Sequence, residues 1–504
     1  MRPYTFDIHI ARDDRPLVSI AGFRVRQHHL TFLFGESGIG KSLCSRAIAG
    51  LLDPDELEVT VNGESYAEYR RSPQAVSFRR NGFFVFQEPS SHLNPLMRLD
   101  DQLAEGSLRG SVDRDAILKS LWSGSTTGEL NSILRVFPKP HRPSGGEKQR
   151  ILCAMAFAKM GVLPEREDGL FVFDEPTGSL DNRYRDIVLE MLIDRFRHKR
   201  CTVLFITHDY SMISVLMQNY RELRDALLFE ELSAEGGITS LRPFQPDTYT
   251  SWLSRERSHR RHLASNQGPA LLTVESGMEV VGRTLMVSRD PEGSKPCPLV
   301  IPRETITYLK APSGTGKTTL VKTVMGLGKA EFFRATFLGS PLTEQTPREF
   351  WRERIWGKRM TMVFQHADEA LNLRATVWEV FSGLPTATKL THASLEEELR
   401  PFFGRDLGMG FLQRTVSTLS GGQKQKLNLL RGLLLDTDLL ILDEPLNGLD
   451  FASLKRVLEL LRTKVQHGRS MLVISHNEEI FDAWVPASNL YYLTAAPGGR
   501  RSVA

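Results

Sequence analysis

Two glycine-rich stretches, GESGIGKS at residues 35–42 and APSGTGKT at residues 311–318, decide the fold. Each follows a short apolar run, LTFLF or ITYL, and precedes a helix-like segment, so the local order is strand, loop, helix. In that setting the N–H groups of the loop and the helix N-terminus form a pocket of positive potential that cradles the β-phosphate of a nucleotide. The sequence therefore predicts two phosphate-binding loops, each in an α/β domain.

Within each loop, the lysine and the hydroxyl residue that follows it carry the chemistry. Lys41 and Lys317 are expected to bridge the β- and γ-phosphates, and the hydroxyls of Ser42 and Thr318 are placed to bind Mg²⁺. A glycine turn without a ligand is the competing interpretation, but a second motif accompanies each copy. The predicted nucleotide-binding residues of the two loops are Gly35, Glu36, Ser37, Gly38, Ile39, Gly40, Lys41, Ser42, Ala311, Pro312, Ser313, Gly314, Thr315, Gly316, Lys317, Thr318 and Thr319.

The two loops belong to a longer internal repeat. Their lysines lie 276 residues apart, and SGGEKQR at 144 returns as SGGQKQK at 420 with the same offset. Two later landmarks, the DEP triplet and the histidine of THD or SHN, keep offsets of 269 and 268 residues. Landmarks in the same order indicate a duplicated domain, which we predict over residues 1–245 and 269–504.

Residues 246–268 join the two copies and are expected to form an exposed linker. The stretch SWLSRERSHRRHLASNQG at 251–268 is polar and rich in arginine, and it ends at Gly268 before Pro269, which is the composition of a connector. A basic patch for lipid or RNA is the alternative interpretation. A solvated linker is favoured because no aromatic interleaving or basic helical stripe extends the segment.

Composition places the chain among soluble globular proteins. Of its 504 residues, 41% are hydrophobic and 25% are charged, which fits neither a disordered nor a fibrous chain. Lys and Arg number 64 against 60 Asp and Glu, so the net charge argues only weakly for a nucleic-acid or acidic-membrane role. No apolar run approaches a membrane span, and the start lacks the apolar core of a signal peptide, so a cytoplasmic location is expected.

Two apolar runs that end in paired acids form the second motif. GLFVFDEP and LLILDEP are typical of fully buried parallel strands, and α/β folds bind ligands at the carboxyl ends of such strands. Asp174 and Asp443 are therefore expected to hold Mg²⁺. Glu175 and Glu444, one residue further on, can orient and polarise the attacking water. The plainer interpretation is that these acids cap the turn that follows.

With these motifs in this order, the chain resembles a tandem ATP-binding cassette (ABC) ATPase with both cassettes in one polypeptide. The resemblance implies two P-loop NTPase domains of α/β fold, each with a mainly parallel sheet and flanking helices, an antiparallel β subdomain and a helical subdomain. It also implies ATP and Mg²⁺ as cofactors. SGGEKQR and SGGQKQK resemble the signature motif, which in that family binds the γ-phosphate of a nucleotide held by the opposite cassette, here by pairing within the chain. The signature residues assigned in this way are Ser144, Gly145, Gly146, Glu147, Ser420, Gly421, Gly422 and Gln423.

The resemblance assigns further residues one by one. Gln87 in FVFQEP and Gln365 in MVFQH match the glutamine of the Q-loop, which contacts Mg²⁺ and senses the membrane partner. The segments that match the D-loop are 178–181 and 447–450. The switch histidine that contacts the γ-phosphate is matched by His208 and His476. The aromatic residue on which the family usually stacks adenine has no counterpart, since residues 7–22 and 275–307 contain no Phe, Tyr or Trp.

The Q-loop region also resembles one subfamily. QEPSSHLNP at 87–95 is similar to the QxPxxxLNP segment of cassettes that drive peptide, nickel and opine-type importers, and QHADEALNL at 365–373 is an eroded form of it. Phe137 and Pro138 resemble the YP that precedes the signature in that subfamily.

This likeness implies an ATPase, peripheral on the inner face of the cell membrane, that energises import of a peptide, a nickel or metal chelate, or a related small solute. Its partners would be two integral-membrane permease subunits and a solute-binding protein, with no nucleic acid. Two alternatives stay open. A soluble tandem cassette protein acting on ribosomes or other machinery usually carries a long charged arm between its cassettes, and a sugar-type tandem importer ATPase typically lacks the second loop lysine, here Lys317.

The two composite sites are expected to be unequal. One would join GESGIGKS to LSGGQ, and the other would join APSGTGKT to PSGGE. Ala311 replaces the first loop glycine and lacks its freedom to adopt positive φ, while Pro143 and Glu147 replace the leucine and glutamine of the signature. We expect the second site to bind ATP and turn it over slowly. Equal sites are the alternative, if the backbone accommodates Ala311.

Overall fold

An α/β arrangement built around a parallel sheet occurs twice in the computed structural model of the chain. The contacts divide the chain into two units, Met1–Pro246 (unit 1) and Asp247–Ala504 (unit 2). The structure describes residues 4–105, 114–122, 130, 133–134, 144–164, 169–178, 182–235, 238–260, 268–312, 314–386, 389–404, 407–408 and 410–497.

Unit 1 alternates strands and helices after an antiparallel start. Strands β1 to β10 are Tyr4–Arg12, Arg15–Val25, Leu30–Gly35, Glu58–Val61, Glu64–Ser65, Phe83–Val85, Leu170–Asp174, Thr202–Ile206, Leu227–Glu235 and Ile238–Pro243. Helices α1 to α8 are Lys41–Ile48, Tyr66–Tyr69, Pro73–Asn81, Leu99–Glu105, Arg114–Leu121, Gly145–Val162, Asn182–His198 and Ser211–Asn219. Short 3₁₀ turns cover Pro89–Ser91 and Arg221–Ala226.

Unit 2 repeats this order after an additional helix, α9, at Pro246–His259. Strands β11 to β21 are Ala270–Val274, Met278–Val280, Arg283–Ser288, Leu299–Pro302, Ile306–Lys310, Arg334–Phe337, Ser340–Thr343, Met360–Val363, Leu439–Asp443, Ser470–Ile474 and Leu490–Pro497. Helices α10 to α17 are Lys317–Val324, Arg348–Phe350, Ala367–Ala370, Val377–Ser382, His392–Phe403, Gly421–Leu434, Phe451–Gln466 and Glu478–Trp484. A π turn covers Trp351–Ile355, and 3₁₀ turns cover Phe411–Gln413, Val416–Thr418 and Ala487–Asn489.

The central sheet of each unit brings the predicted strand ends to one edge. Its order is β10-β9-β3-β8-β7-β6 in unit 1 and β12-β13-β21-β15-β20-β19-β18 in unit 2. The strands from β9 to β6 and from β21 to β18 pair in parallel. Strands β3, β7 and β8 are buried along their whole length, as continuous apolar runs predict. Parallel pairing therefore places the glycine-rich loop and the paired acids at the same edge.

A second, antiparallel sheet lies beside the central sheet in each unit. Its order is β2-β1-β4-β5 in unit 1 and β14-β11-β16-β17 in unit 2. In unit 1 a single core cluster joins the two sheets through α1, whose Cys44, Ala47 and Ile48 are fully buried. The helix that follows the glycine-rich loop is thus packed on both sides, which holds the loop in place. The predicted α/β fold, with two P-loop domains and antiparallel subdomains, is confirmed.

The expected exposed linker over residues 246–268 is wrong in its first half. Residues 246–259 form α9, and Tyr249, Trp252 and Leu253 are buried along one face of it. The rings of Tyr249 and Trp252 lie 5.8 Å and 5.4 Å from that of Phe451. The spacing of these apolar residues is typical of one face of a helix and could have predicted α9. The composition hides this pattern because exposed arginines dominate it. Residues 261–267 lie outside the described part.

Across the ranges that the structure describes, no helix combines the length and the apolar character needed to cross a membrane.

Because α9 contributes to the core of unit 2, truncating its buried tryptophan should destabilise that unit. We expect Trp252→Ala to lower the free energy of unfolding of unit 2 by about 3 kcal/mol, the usual cost of removing a large buried aromatic side chain. The measurement is urea denaturation of the full chain, followed by amide hydrogen exchange in β19 and β20. Arg255→Ala, at an exposed position of the same helix, is the control and should change little. Equal stabilities of the two variants would contradict the packing role of α9.

Candidate nucleotide-binding site

The glycine-rich loop of unit 1 connects the carboxyl end of β3 to the N-terminus of α1. Gly40, the residue before the helix, has a φ of +103° and no side chain caps the helix start. A Cβ atom at Gly40 would lie 2.2 Å from Val18 Cγ2, so the position requires glycine. The first N–H groups of α1 are therefore left for an anion at the positive end of the helix dipole.

The loop of unit 2 has the same construction between β15 and α10. Gly316 has a φ of +108°, and α10 also starts without a side-chain cap. Ser313, which the sequence predicts to bind nucleotide, lies outside the described residues. Both loops therefore share the anion-binding geometry at the helix start.

Each loop lysine is buried and bonds to carbonyl groups of its own loop. Lys41 Nζ donates to Gly35 O at 2.7 Å and to Glu36 O at 2.9 Å. Lys317 Nζ donates to Ala311 O at 2.5 Å. Burial lowers the pKa of Lys41, although the nearby carboxylates of Glu175 and Asp174 oppose this. The ammonium groups therefore lie within the loops that are predicted to hold phosphate.

A hydroxyl–aspartate hydrogen bond joins each loop helix to the neighbouring strand end. Ser42 Oγ donates to Asp174 Oδ1, and Thr318 Oγ1 donates to Asp443 Oδ2, both at 2.8 Å. Burial raises the pKa of Asp174 to about 6 and shifts the pKa of Asp443 in the same direction. The structure therefore brings together the hydroxyl and the carboxylate that the sequence assigns to Mg²⁺ in each half.

The surroundings of Asp174 fit a cation. Its second oxygen, Oδ2, is buried and has no hydrogen-bond partner in the described part of the chain. Among the same residues, no group of three or more His, Cys, Asp or Glu side chains is placed to hold a metal by itself. Mg²⁺ in nucleotide sites is commonly held by one or two protein ligands, with phosphates and water completing its shell. The residues present therefore fit a magnesium ion that arrives with a nucleotide.

The acidic residue after each strand-end aspartate adopts an unusual backbone conformation. Glu175 has a φ of +46° and Glu444 a φ of +51°, a region that costs a non-glycine residue energy and that clusters at functional sites. Each backbone N–H is fixed by a hydrogen bond to the next strand, Glu175 to Ile206 O at 3.0 Å and Glu444 to Ile474 O at 2.9 Å. The same turn in both units shows that the fold imposes it.

Side chains from two adjacent strand ends surround Glu175. Gln87 Nε2 donates to Glu175 Oε2 at 3.0 Å, and His208 Nδ1 lies 3.4 Å from the same oxygen. Burial alone would raise the pKa of Glu175, but the charges of His208 and Lys41 lower it to about 2. The glutamine, glutamate and histidine predicted from the sequence therefore meet in unit 1, around an ionised carboxylate.

Glu444 has different surroundings in unit 2. Its Oε2 accepts hydrogen bonds from Ser475 Oγ and from the N–H of His476, both at 3.0 Å, and His476 Nε2 lies 3.3 Å from Oε1. Gln365 makes no hydrogen bond to this carboxylate in the described structure. Burial raises the pKa of Glu444 to about 7, although the two hydrogen bonds oppose the shift. The matched glutamates therefore differ in pKa and in partners.

One residue type accounts for part of this difference. Ser475 precedes His476, whereas Thr207 occupies the corresponding position before His208. Both hydroxyls accept the N–H two residues later, Thr207 that of Asp209 at 3.0 Å and Ser475 that of Asn477 at 3.1 Å. The Ser475 hydroxyl also donates to Glu444. The sequence analysis did not predict a role for Ser475. The difference between serine and threonine before the two histidines could have indicated that the sites differ.

The signature segments begin two long helices, α6 and α15. Ser144 and Ser420 cap them, and Glu147 and Gln423 complete the same reciprocal capping box three residues later. Glu147 thus fills the structural role of the glutamine that it replaces. Pro143 lies outside the described residues, as do residues 179–181 of the first D-loop match.

The structure meets the condition of the alternative expectation, that the backbone accommodates Ala311. Gly35 has a φ of +143°, and a Cβ atom there would lie 2.5 Å from Leu232 O. Ala311 is not among the described residues with positive φ, and its carbonyl still accepts the bond from Lys317. The backbone of unit 2 accommodates the alanine because it takes an ordinary conformation at this position.

Comparisons with known proteins show which family the chain belongs to. Residues 18–178 and 295–447 match the family model described as ABC transporter. The chain is 28% identical over 494 residues to the "Uncharacterized ABC transporter ATP-binding protein YejF" of Escherichia coli (strain K12), covering 93% of this chain and 89% of that protein. It is 25% identical over 499 residues to the "Peptidoglycan transport ATP-binding protein YejF" of Agrobacterium fabrum, covering 92% and 86%.

Among solved structures, the fold is similar to that of a protein titled "RNase-L Inhibitor", with a TM-score of 0.63 and 18% identity over 98% of this chain and 90% of that chain. At that identity the likeness concerns the fold alone. The family model matches more than half of the residues, in two separate regions. The chain therefore belongs to the ABC transporter family, as an ATP-binding protein with two ABC ATPase domains.

Proposed function

We propose that this chain is the ATP-hydrolysing subunit of an importer, bound to the inner face of the cell membrane. ATP hydrolysis is what its family implies. In the proposal, the chain docks on two separate integral-membrane permease subunits and, with a solute-binding protein, drives uptake of a peptide, a nickel or metal chelate, or a related small solute.

One observation carries this proposal: the Q-loop region of unit 1 links the reactive carboxylate to an exposed apolar side chain. Gln87 contacts Glu175, and nine residues later Leu96 is 79% exposed. The intervening loop is braced by Gln102, whose side chain accepts from Asn94 N–H at 2.9 Å and donates to Asn94 O at 3.0 Å. A braced loop with one end at the site and the other in solvent is suited to couple hydrolysis to a bound partner.

The name of one relative is in keeping with a solute of the peptide type: the Agrobacterium protein is named for peptidoglycan transport. The ribosome alternative rests on a likeness of fold alone, and no feature of the described residues favours a sugar-type importer.

We further propose the roles of the site residues. Mg-ATP, when bound, supplies the phosphoryl group that is transferred to water and the cation that neutralises its charge. The loop N–H groups with Lys41 or Lys317 hold the phosphates, and the hydroxyl–aspartate pairs hold the cation. In unit 1, Glu175 orients the attacking water, Gln87 positions that carboxylate, and His208 contacts the γ-phosphate. In unit 2, Glu444 and His476 would have the corresponding roles, with Ser475 positioning the carboxylate in place of a glutamine; Gln365 would contact Mg²⁺.

The importer proposal predicts a membrane partner at Leu96. Cys44, Cys153 and Cys201 are buried and Cys297 is half-buried, so in a Cys297→Ser background Leu96→Cys should be the main reactive thiol. A thiol-reactive photo-crosslinker attached to it in intact cells should yield adducts with a polytopic membrane protein, identified by mass spectrometry. In the same cells, Glu175→Gln should abolish uptake of a labelled tripeptide or of Ni²⁺.

Val281→Cys provides the matched control, because Val281 is an exposed apolar residue of unit 2 at 80% exposure. It should not give the Leu96 adduct. Adducts with ribosomal proteins, or uptake unchanged for every tested solute, would show that the importer proposal is incorrect.

Two complete sets of motifs predict two nucleotides per chain. The double variant Glu175→Gln, Glu444→Gln retains both loops and both aspartates but lacks the two carboxylates proposed to act on water. Equilibrium binding of Mg-ATP to it should therefore saturate at two molecules per chain. A stoichiometry of one nucleotide per two chains would contradict pairing of the cassettes within one polypeptide.

The unequal glutamates predict unequal catalytic losses. Glu175 is ionised and contacts both Gln87 and His208, whereas Glu444 is fully buried and bonded to Ser475 and the backbone. We expect Glu175→Gln to reduce the Mg-ATPase rate of the chain with its membrane partners by about a hundredfold, and Glu444→Gln by less than about tenfold. Equal losses, or a larger loss from Glu444→Gln, would rule out the asymmetry.

A further inference from the structure

Helix α9 packs against the start of the helix that follows the D-loop match of unit 2. Tyr249 is fully buried, and its ring lies 5.8 Å from the ring of Phe451. Phe451 is the first residue of α16, directly after Asp450, which caps that helix through a 2.7 Å bond to the N–H of Ser453. Asp450 also lies 3.9 Å from Lys426 of the signature helix α15. Helix α9 thus contacts Phe451, the residue that directly follows the D-loop match.

The same helix is bonded to α17, which follows the switch histidine. The Tyr249 hydroxyl donates to Glu479 Oε2 at 3.0 Å, and Arg257 Nη2 lies 3.5 Å from Glu479 Oε1. Glu479 lies in the first turn of α17, three residues after His476. Arg260 Nη1 donates to Asp482 O, one turn further on, at 2.6 Å. Polar contacts from α9 and from Arg260, which directly follows it, therefore fix the first two turns of α17.

A third connection reaches the glycine-rich loop. The carboxylate of Asp482 accepts a hydrogen bond from Lys310 Nζ at 2.6 Å. Lys310 is the last residue of β15 and directly precedes Ala311. Because Asp482 bonds to Arg260 through its carbonyl and to Lys310 through its side chain, α9 is connected to the start of the loop through a single residue.

Aromatic side chains occupy the corresponding place in unit 1. Phe34 precedes Gly35 where Lys310 precedes Ala311, and Tyr210 occupies the position of Glu478. The rings of Phe34 and Tyr210 stack with centroids 4.7 Å apart, and Phe244 covers them. Within the described residues, unit 1 thus uses an aromatic cluster where unit 2 uses charged groups and an additional helix.

We propose that α9 is a positioning element for ATP hydrolysis in the second cassette. Tyr249 and Arg257 hold α17, and therefore His476, against Glu444, while the two α9 aromatic rings hold Phe451 and the D-loop. Tyr249, Trp252 and Arg257 lie outside the glycine-rich loop and the signature segment, so their effect is on the placement of reacting groups and not on ATP affinity. The inference concerns the hydrolytic site alone and does not depend on which partner or solute the chain serves.

The test uses the full chain in a Glu175→Gln background, in which turnover depends on the second cassette. Tyr249→Phe removes the bond to Glu479 and retains the ring. It should lower kcat by about threefold to tenfold, the effect of one lost hydrogen bond, with KM for Mg-ATP and the thermal midpoint unchanged. Glu479→Gln keeps an acceptor for the tyrosine and should retain more activity than Glu479→Ala. Arg257→Gln should lower kcat, whereas Arg255→Gln, on the exposed side of the same helix, should not.

A second measurement is independent of turnover. With Mg-ATP bound, amide hydrogen exchange in residues 446–453 and 476–484 should increase in Tyr249→Phe and not in Arg255→Gln. Unchanged kcat together with unchanged exchange would overturn the proposal. A loss of kcat that is matched by a lower thermal midpoint, or by a higher KM, would assign α9 a purely structural role and would also overturn it.

Discussion

The hydrogen bond between a loop hydroxyl and a strand-end aspartate is the contact on which both sites depend. Ser42 to Asp174 and Thr318 to Asp443 each connect the first turn of a helix to the end of a neighbouring strand. The bond forms because parallel strands bring their carboxyl ends to one edge, and because the loop helix is packed between two sheets. It leaves a buried carboxylate oxygen, Asp174 Oδ2, that has no hydrogen-bond partner among the described residues, and such an atom is stabilised by a cation. The same contact thus fixes the loop and creates the need for its ligand.

Much of this arrangement could be predicted from the sequence because local rules and the fold agree. A continuous apolar run that ends in two acids indicates a buried parallel strand, and the topology then determines which edge its acids occupy. What could not be predicted depends on backbone choices and on neighbours distant in sequence. Ala311 takes an ordinary φ where Gly35 takes +143°. The apolar face of α9 was obscured by the arginines around it, since composition weighs exposed and buried residues alike.

The two units show how a duplicated motif acquires different electrostatics without losing its geometry. Glu175 and Glu444 share the same strained turn and the same backbone hydrogen bond, so the path of the chain is unchanged. Their pKa values diverge because the partners differ. His208 and Lys41 offset the burial of Glu175, whereas the N–H of His476, the charge of Lys317 and the Ser475 hydroxyl do not offset the deeper burial of Glu444. Motif identity therefore establishes where a carboxylate lies, and the residues around it determine its charge.

The two units also differ in the side chains that lie behind the glycine-rich loop, and in unit 2 these side chains are connected to α9. In unit 1, the aromatic cluster of Phe34, Tyr210 and Phe244 closes the space behind the loop, and the Tyr210 hydroxyl donates to Glu231. In unit 2, Lys310 occupies that space, and a buried ammonium needs carboxylates, which α17 supplies through Glu478 and Asp482. The neighbouring acceptors on α17 are bound from the other side. Glu479 accepts from Tyr249 and pairs with Arg257, and the carbonyl of Asp482 accepts from Arg260. The replacement of one aromatic residue by a lysine is thus accommodated by a series of polar contacts. That series ends on the segment joining the two halves of the chain.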